Sequence, residues 1–190
     1  TINFSGGGQL SGTGKLDVSG STLGLGGDFL KSSGTLTISQ TDLKLVDNST
    51  LTSDEALSFV NLNLNDFTLT LGSPTSDLTV QNAIIIDAST EGISTGESDL
   101  ILDASIDISD GGVISTGGIV SLSGGGQLSG TGILDVSGGN WILGGDFVKS
   151  SGTLTTSQTN LVLAGSSIKL TSDVALSFVT LNLNYKTLTL

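Results

Sequence analysis

The chain has 190 residues, with 18 acidic side chains against 6 basic ones, no histidine, no cysteine and no methionine, for a formal net charge of −12. A surface of that sign repels nucleic-acid phosphates and anionic membranes, and the lack of cysteine removes disulfides, thiolate chemistry and cysteine-ligated zinc. A hydrophobic content of 36% with 28 glycines and 1 proline suits stacked turns better than a compact globule or a Gly/Pro linker.

The first expected strand is Ile2/Phe4. A long unit, 5–71, follows, with apolar-x-apolar pairs at Leu16/Val18, Leu23/Leu25, Leu36/Ile38, Leu43/Leu45, Leu57/Phe59 and Leu62/Leu64. Single inward positions are expected between them at Leu10, Leu30, Leu51 and Leu69. Alternation of period two is the mark of a half-buried strand. The intervening Gly, Ser, Asn and Asp tolerate tight turns. The divergent middle, 72–122, carries pairs at Leu78/Val80, Ile84/Ile86, Leu100/Leu102, Ile106/Ile108 and Val120/Leu122, and is least regular over 81–117.

Residues 123–190 then repeat 5–71, identical at 50 of 67 aligned positions with one residue inserted near Ile168. Trp141 stands where the first copy has Leu23, and Val148 where it has Leu30. Three short strands per ~20 residues predict an all-β fold, a right-handed parallel β-helix (β-solenoid) of about ten coils. Residues 1–190 are expected to form one continuous segment, with the long repeat spanning about six coils. Spacing places Leu23, Leu43, Leu62, Ile84, Leu100, Val120, Trp141, Leu161 and Leu181 in one column. No apolar run is long enough for a membrane span. A chain without methionine, ending inside a strand pattern without a polar cap, reads as a piece of a longer repeat protein.

The segments GGGQLSGTGKLDVSG, LGGDFLKSSGTLTISQ and LNLNDFTLTL resemble the passenger repeats of bacterial autotransporter and filamentous-haemagglutinin-like surface proteins. The resemblance covers nearly the whole chain and rests on the style of the repeats. It implies a β-helix on the bacterial cell exterior, an adhesin or surface-fibre role, and no catalytic residues. The Ser/Thr/Asn-rich, cysteine-free composition agrees with an extracellular or cell-surface location.

Local features suited to chemistry have plainer readings. The acidic stretch Asp87, Glu91, Glu97, Asp99, Asp103, Asp107 and Asp110 has carboxylates suited to calcium, with Asp99, Asp103, Asp107 and Asp110 the candidate ligands. The calcium nonapeptide and the EF-hand loop are both missing, so a solvated face is expected and no cofactor. The Asp54/Glu55 pair becomes Asp173-Val174 in the second copy, which argues against an acid pair for glycoside hydrolysis. The glycine clusters precede no helix and no GK[ST], so they are turns rather than phosphate loops. Trp141 is expected in the core and Tyr185 on the surface. The Thr pairs that evoke ice-binding arrays are broken by Lys15/Asp17, Ala56/Ser58 and Asp77/Thr79.

One outward column reads Asn3, Gly24, Lys44, Asn63, Ile85, Ile101, Ser121, Ile142, Val162, Asn182. Ile85, Ile101, Ile142 and Val162 are the candidate lateral-contact residues within it. The chain is therefore expected to be no enzyme but a structural or adhesive repeat segment, a stalk or filament building block. Its expected partners are further copies of itself, end to end or laterally, with any host or matrix ligand elsewhere in the full protein. The alternative is a polysaccharide-processing β-helix of the lyase or tail-spike depolymerase type. Such lyases rely on Arg, Lys or His, and this chain has neither Arg nor His.

Overall fold

Short alternating strands joined by glycine- and asparagine-rich corners cannot bury their apolar side chains alone, so they wind and stack. The computed structural model describes residues 1–86, 88 and 91–190 and is all-β, a parallel solenoid of about nine turns with three walls. The first wall begins with β1 (Ile2–Phe4), β4 (Thr22–Leu25), β7 (Asp42–Leu45), β10 (Leu62–Asn63) and β13 (Ile84–Ile86). It continues with β16 (Ile106–Ile108), β19 (Gly126–Leu128), β22 (Phe147–Lys149), β25 (Ser167–Ser172) and β27 (Thr187–Thr189). The second wall holds β2 (Gly8–Leu10), β5 (Phe29–Lys31), β8 (Ser49–Ser53) and β11 (Thr68–Leu71). Below them lie β14 (Gly92–Gly96), β17 (Val113–Thr116), β20 (Ile133–Asp135) and β23 (Thr153–Thr155). The third wall runs β3 (Lys15–Asp17), β6 (Thr35–Thr37), β9 (Leu57–Phe59), β12 (Leu78–Val80) and β15 (Leu100–Leu102). It ends with β18 (Ile119–Leu122), β21 (Asn140–Leu143), β24 (Asn160–Leu163) and β26 (Thr180–Asn182).

Like side chains stack on like along the interior. Leu25 pairs with Leu45 and Leu23 with Leu43, all fully enclosed, and Leu64 is buried one turn on. On the third wall Leu100, Val120, Trp141 and Leu161 form another buried ladder. Nine turns at ~4.8 Å make a stack about 43 Å long. That is one turn fewer than the ten expected.

The columns differ from the sequence spacing in one informative way. Leu23, Leu43, Leu62 and Ile84 lie on the first wall, whereas Leu100, Val120, Trp141 and Leu161 lie on the third. Between Ile84 and Leu100 the described residues form one strand, β14, so β13 and β15 are two-thirds of a turn apart. The two copies of the long repeat are consequently five and two-thirds turns apart, not six, and each element of the second lies on the preceding wall. Most equivalent segments form strands on different walls because each wall offers an apolar face inward and, for most strands, a ladder neighbour on either side.

The second correction concerns β5 and its copy β22. Leu30 and Val148 point outward, with 38% and 41% of their surface exposed, while Phe29, Lys31, Phe147 and Lys149 point inward. Phenylalanine fills the interior better than leucine does. Phe29 lies against Phe4 with ring centroids 5.3 Å apart, and Phe147 meets Trp141 edge-on at 5.1 Å.

Corners are held by side chains reaching one turn along. Thr41 and Thr159, equivalent in the two copies, are enclosed and donate Oγ1 to Val18 O at 2.9 Å and Val136 O at 2.7 Å. Asp77 accepts from Asp99 N, and Asp99 in turn from Ile119 N, at 2.9 and 2.8 Å. Gly7 and Gly125 sit at φ 80° and 70°, where an added Cβ would land on the carbonyl oxygen of Asp28 or Asp146. Only glycine serves there.

The wall is not closed everywhere. The second wall is a continuous ladder from β2 to β23. Among the described residues, however, no pairing joins β6 to β9 on the third wall or β10 to β13 on the first.

Candidate functional site

Of the outward apolar residues, Ile101, Ile142 and Val162 share the third wall. There the outward column runs Ser58, Thr79, Ile101, Ser121, Ile142, Val162, Asn182 through successive ladders. All three are partly exposed. Ile85 does not join them. It is 62% exposed on the first wall, in a column that continues Asp107, Gln127, Val148. The shift at 86–100 that moves the inward column to a new wall moves the outward one with it.

The four candidate calcium ligands are not brought together. Asp99 sits at the corner before β15, Asp103 at the corner after it, Asp107 in the middle of β16 and Asp110 at the corner beyond. Asp99 is engaged by Ile119 N, and Asp107 accepts from Gln127 Nε2 at 2.7 Å. Asp110 adopts φ 44° in its turn. Among the described residues no three acidic side chains converge on a point. Asp87 lies outside the described residues.

The charged arrangement that sequence reasoning missed is inside. Lys31 keeps 2% of its side chain exposed, and its ammonium contacts Asp54 Oδ1 at 2.5 Å and Glu55 Oε1 at 3.0 Å. Those carboxylates are 43% and 54% exposed, so the stem lies in the interior and the charged head reaches the rim. The hydrogen bond to Asp54 holds Lys31 above the ordinary lysine value, against desolvation, with Glu55 adding to the effect. Lys31 in turn holds the Asp54 carboxyl below its usual range. Asp17 is lowered too, by hydrogen bonds from Ser19. In the second copy Lys149 is equally enclosed and binds Asp173 alone, since Val174 replaces Glu55. The available signal was the spacing of F-x-K, which puts phenylalanine and lysine on the same face of the strand.

Trp141 is fully enclosed and packs against Phe147 and Phe178, so it offers no sugar platform. Tyr185 is fully exposed at a turn with φ 60°.

Set against protein-family models, curated proteins and solved structures, the chain shows no significant match to any.

Proposed function

We propose that this chain is a repeat segment of a bacterial extracellular surface fibre or adhesin of the autotransporter and filamentous-haemagglutinin-like kind, serving as a stalk or filament building block. The observation that carries this reading is the relation between the two copies. They lie in one stack, rotated by a wall and advanced by five and two-thirds turns. Duplication therefore lengthens the rod by adding turns to the same stack, which is what a spacer requires and what a single catalytic constellation does not.

A net charge of −12 disfavours side-by-side clumping of such rods. The column Ile101, Ile142, Val162 on the third wall supplies the apolar contact for specific lateral assembly. Ile85, on another wall, plays no part in it.

Electron microscopy of the native material tests this. Filaments should show an axial repeat near 27 Å, or a multiple, from five and two-thirds turns at ~4.8 Å. Changing Ile101 and Ile142 to lysine should weaken lateral assembly while leaving the far-ultraviolet circular dichroism of each rod unchanged. An isolated monomer that cleaves a polysaccharide would overturn the reading.

A further inference from the structure

The strands from β9 to β26 on the third wall form one hydrogen-bonded sheet, and among the described residues none of these strands contains a charged side chain. The other walls do carry charge, with Lys44, Asp107 and Lys169 on the first and Asp135 on the second. The outward polar groups of the sheet partner one another. Asn160 Nδ2 donates to Asn140 Oδ1 at 3.0 Å, and Thr180 Oγ1 to Asn160 Oδ1 at 2.7 Å. Covering groups that are already paired costs little. Beside this ladder runs the outward column Ile101, Ser121, Ile142, Val162. Beyond the column the border is low, with Ser123, Gly144 and Ala164 at the corners.

The first copy of the long repeat builds a different face from the same elements. β4 and β7 carry Thr22, Gly24, Asp42 and Lys44 where β21 and β24 carry Asn140, Ile142, Asn160 and Val162, and Val46 stands in place of Ala164. All of these outward positions differ, whereas inward Leu25, Leu43 and Leu45 return unchanged as Leu143, Leu161 and Leu163. The strands therefore fold with an aspartate and a lysine outside. Strand propensity accounts for the isoleucine and the valine, but not for asparagine in place of Asp42 or for the smaller corner residue.

We propose that the third wall of one rod packs against the third wall of a second copy, the two rods lying parallel and in register about a two-fold axis along the outward column. This rests on the lateral assembly of the fibre reading and names its partner and orientation. Ile101, Ile142 and Val162 then each meet their own counterpart, and Ser121 meets Ser121. The same axis sets Asn140 opposite the partner's Gly144 and Asn160 opposite the partner's Ala164, large against small. Antiparallel rods fit less well, since each such docking sets a polar residue of the column against an apolar one or leaves Ile101 uncovered. Two chains of net charge −12 repel, so they meet best where neither carries charge. A basic partner would be matched instead by a face with carboxylates. The face measures about 24 Å by 14 Å, small beside the ~800 Å² per partner of a stable complex, so one segment pairs weakly.

Thiol cross-linking of the full chain tests the proposal, because the sequence has no cysteine and each introduced one reports a single place. Sheets stack about 10 Å apart, too far for a disulfide, so a short bismaleimide is the reagent. Thr79, Ser121 and Asn182 share the outward column, the first and last about 24 Å apart along the axis. At millimolar protein and about 0.5 M salt, which screens the repulsion, Thr79→Cys, Ser121→Cys and Asn182→Cys should each give a covalent dimer. Ser94→Cys, on the second wall, should not. Adding Asn160→Asp and Val162→Lys, the residue types that the first copy folds with at these places, should lower the Ser121→Cys dimer roughly tenfold or more. The far-ultraviolet circular dichroism should stay unchanged. Antiparallel rods would link at no more than one of the three levels. Dimers at one level only would overturn the parallel register while leaving lateral assembly in place. Equal linking through Ser94→Cys, no loss with the charged variant, or no dimer at any third-wall level would overturn the contact itself.

Discussion

Phe147 and Val148 are adjacent, both apolar, and predicted to respond very differently to truncation. Phe147 is fully enclosed, in register between Gly126 and Leu170 and edge-on to Trp141, while Val148 is 41% exposed. Phe147→Ala removes a ring whose space the flanking strands cannot refill, because both are fixed in their ladders. Such truncations cost about 3–5 kcal/mol, with the aromatic pair contributing roughly 1 of that. Val148→Ala removes two methyl groups that are already in contact with water, and should cost below about 1 kcal/mol. Urea unfolding followed by far-ultraviolet circular dichroism separates the two through the midpoint, at unchanged slope. Comparable losses for both variants, or a larger one for Val148→Ala, would place β22 in the opposite register, with Val148 inward and Phe147 and Lys149 outside.

The Lys31–Asp54 contact should be lost at both ends of the pH range. The lowered carboxyl contributes stability that is present above the ordinary aspartate value, about 3.9, and disappears as pH falls through its depressed folded value. The raised lysine contributes stability that is present below about 10.4 and disappears as pH rises through its elevated folded value. Lys31→Met should flatten both limbs of a melting temperature–pH profile and Asp54→Asn chiefly the acid limb; unchanged limbs would show the contact to be energetically idle. Millimolar calcium should shift the melting temperature no more than magnesium at equal ionic strength, since Asp99, Asp103, Asp107 and Asp110 do not converge. A calcium-selective rise would show that they do gather around an ion.

The residue pattern alone is enough to establish a parallel solenoid of short strands. Period-two alternation and positive-φ turn residues are local properties, and a repeat of about 20 residues leaves stacking as the way to bury the alternate side chains. The same pattern identifies most of the interior ladder, from Leu25 and Leu45 to Leu100 and Val120, because those pairs are flanked by polar residues that face out. Which strands become neighbours is a matter of the folded stack. Coil length varies, and the wall a strand occupies depends on the sum of all preceding coil lengths, so the 16 residues from Ile84 to Leu100 carry the second copy onto a different wall. That sum separates Ile85 from Ile101, Ile142 and Val162. Local hydropathy misplaced Leu30 and Val148 for a related reason. In F-x-K the larger ring outweighs the aliphatic middle residue, and the lysine can follow it inside only because Asp54, Glu55 or Asp173 waits 23 or 24 residues further on to receive its charge.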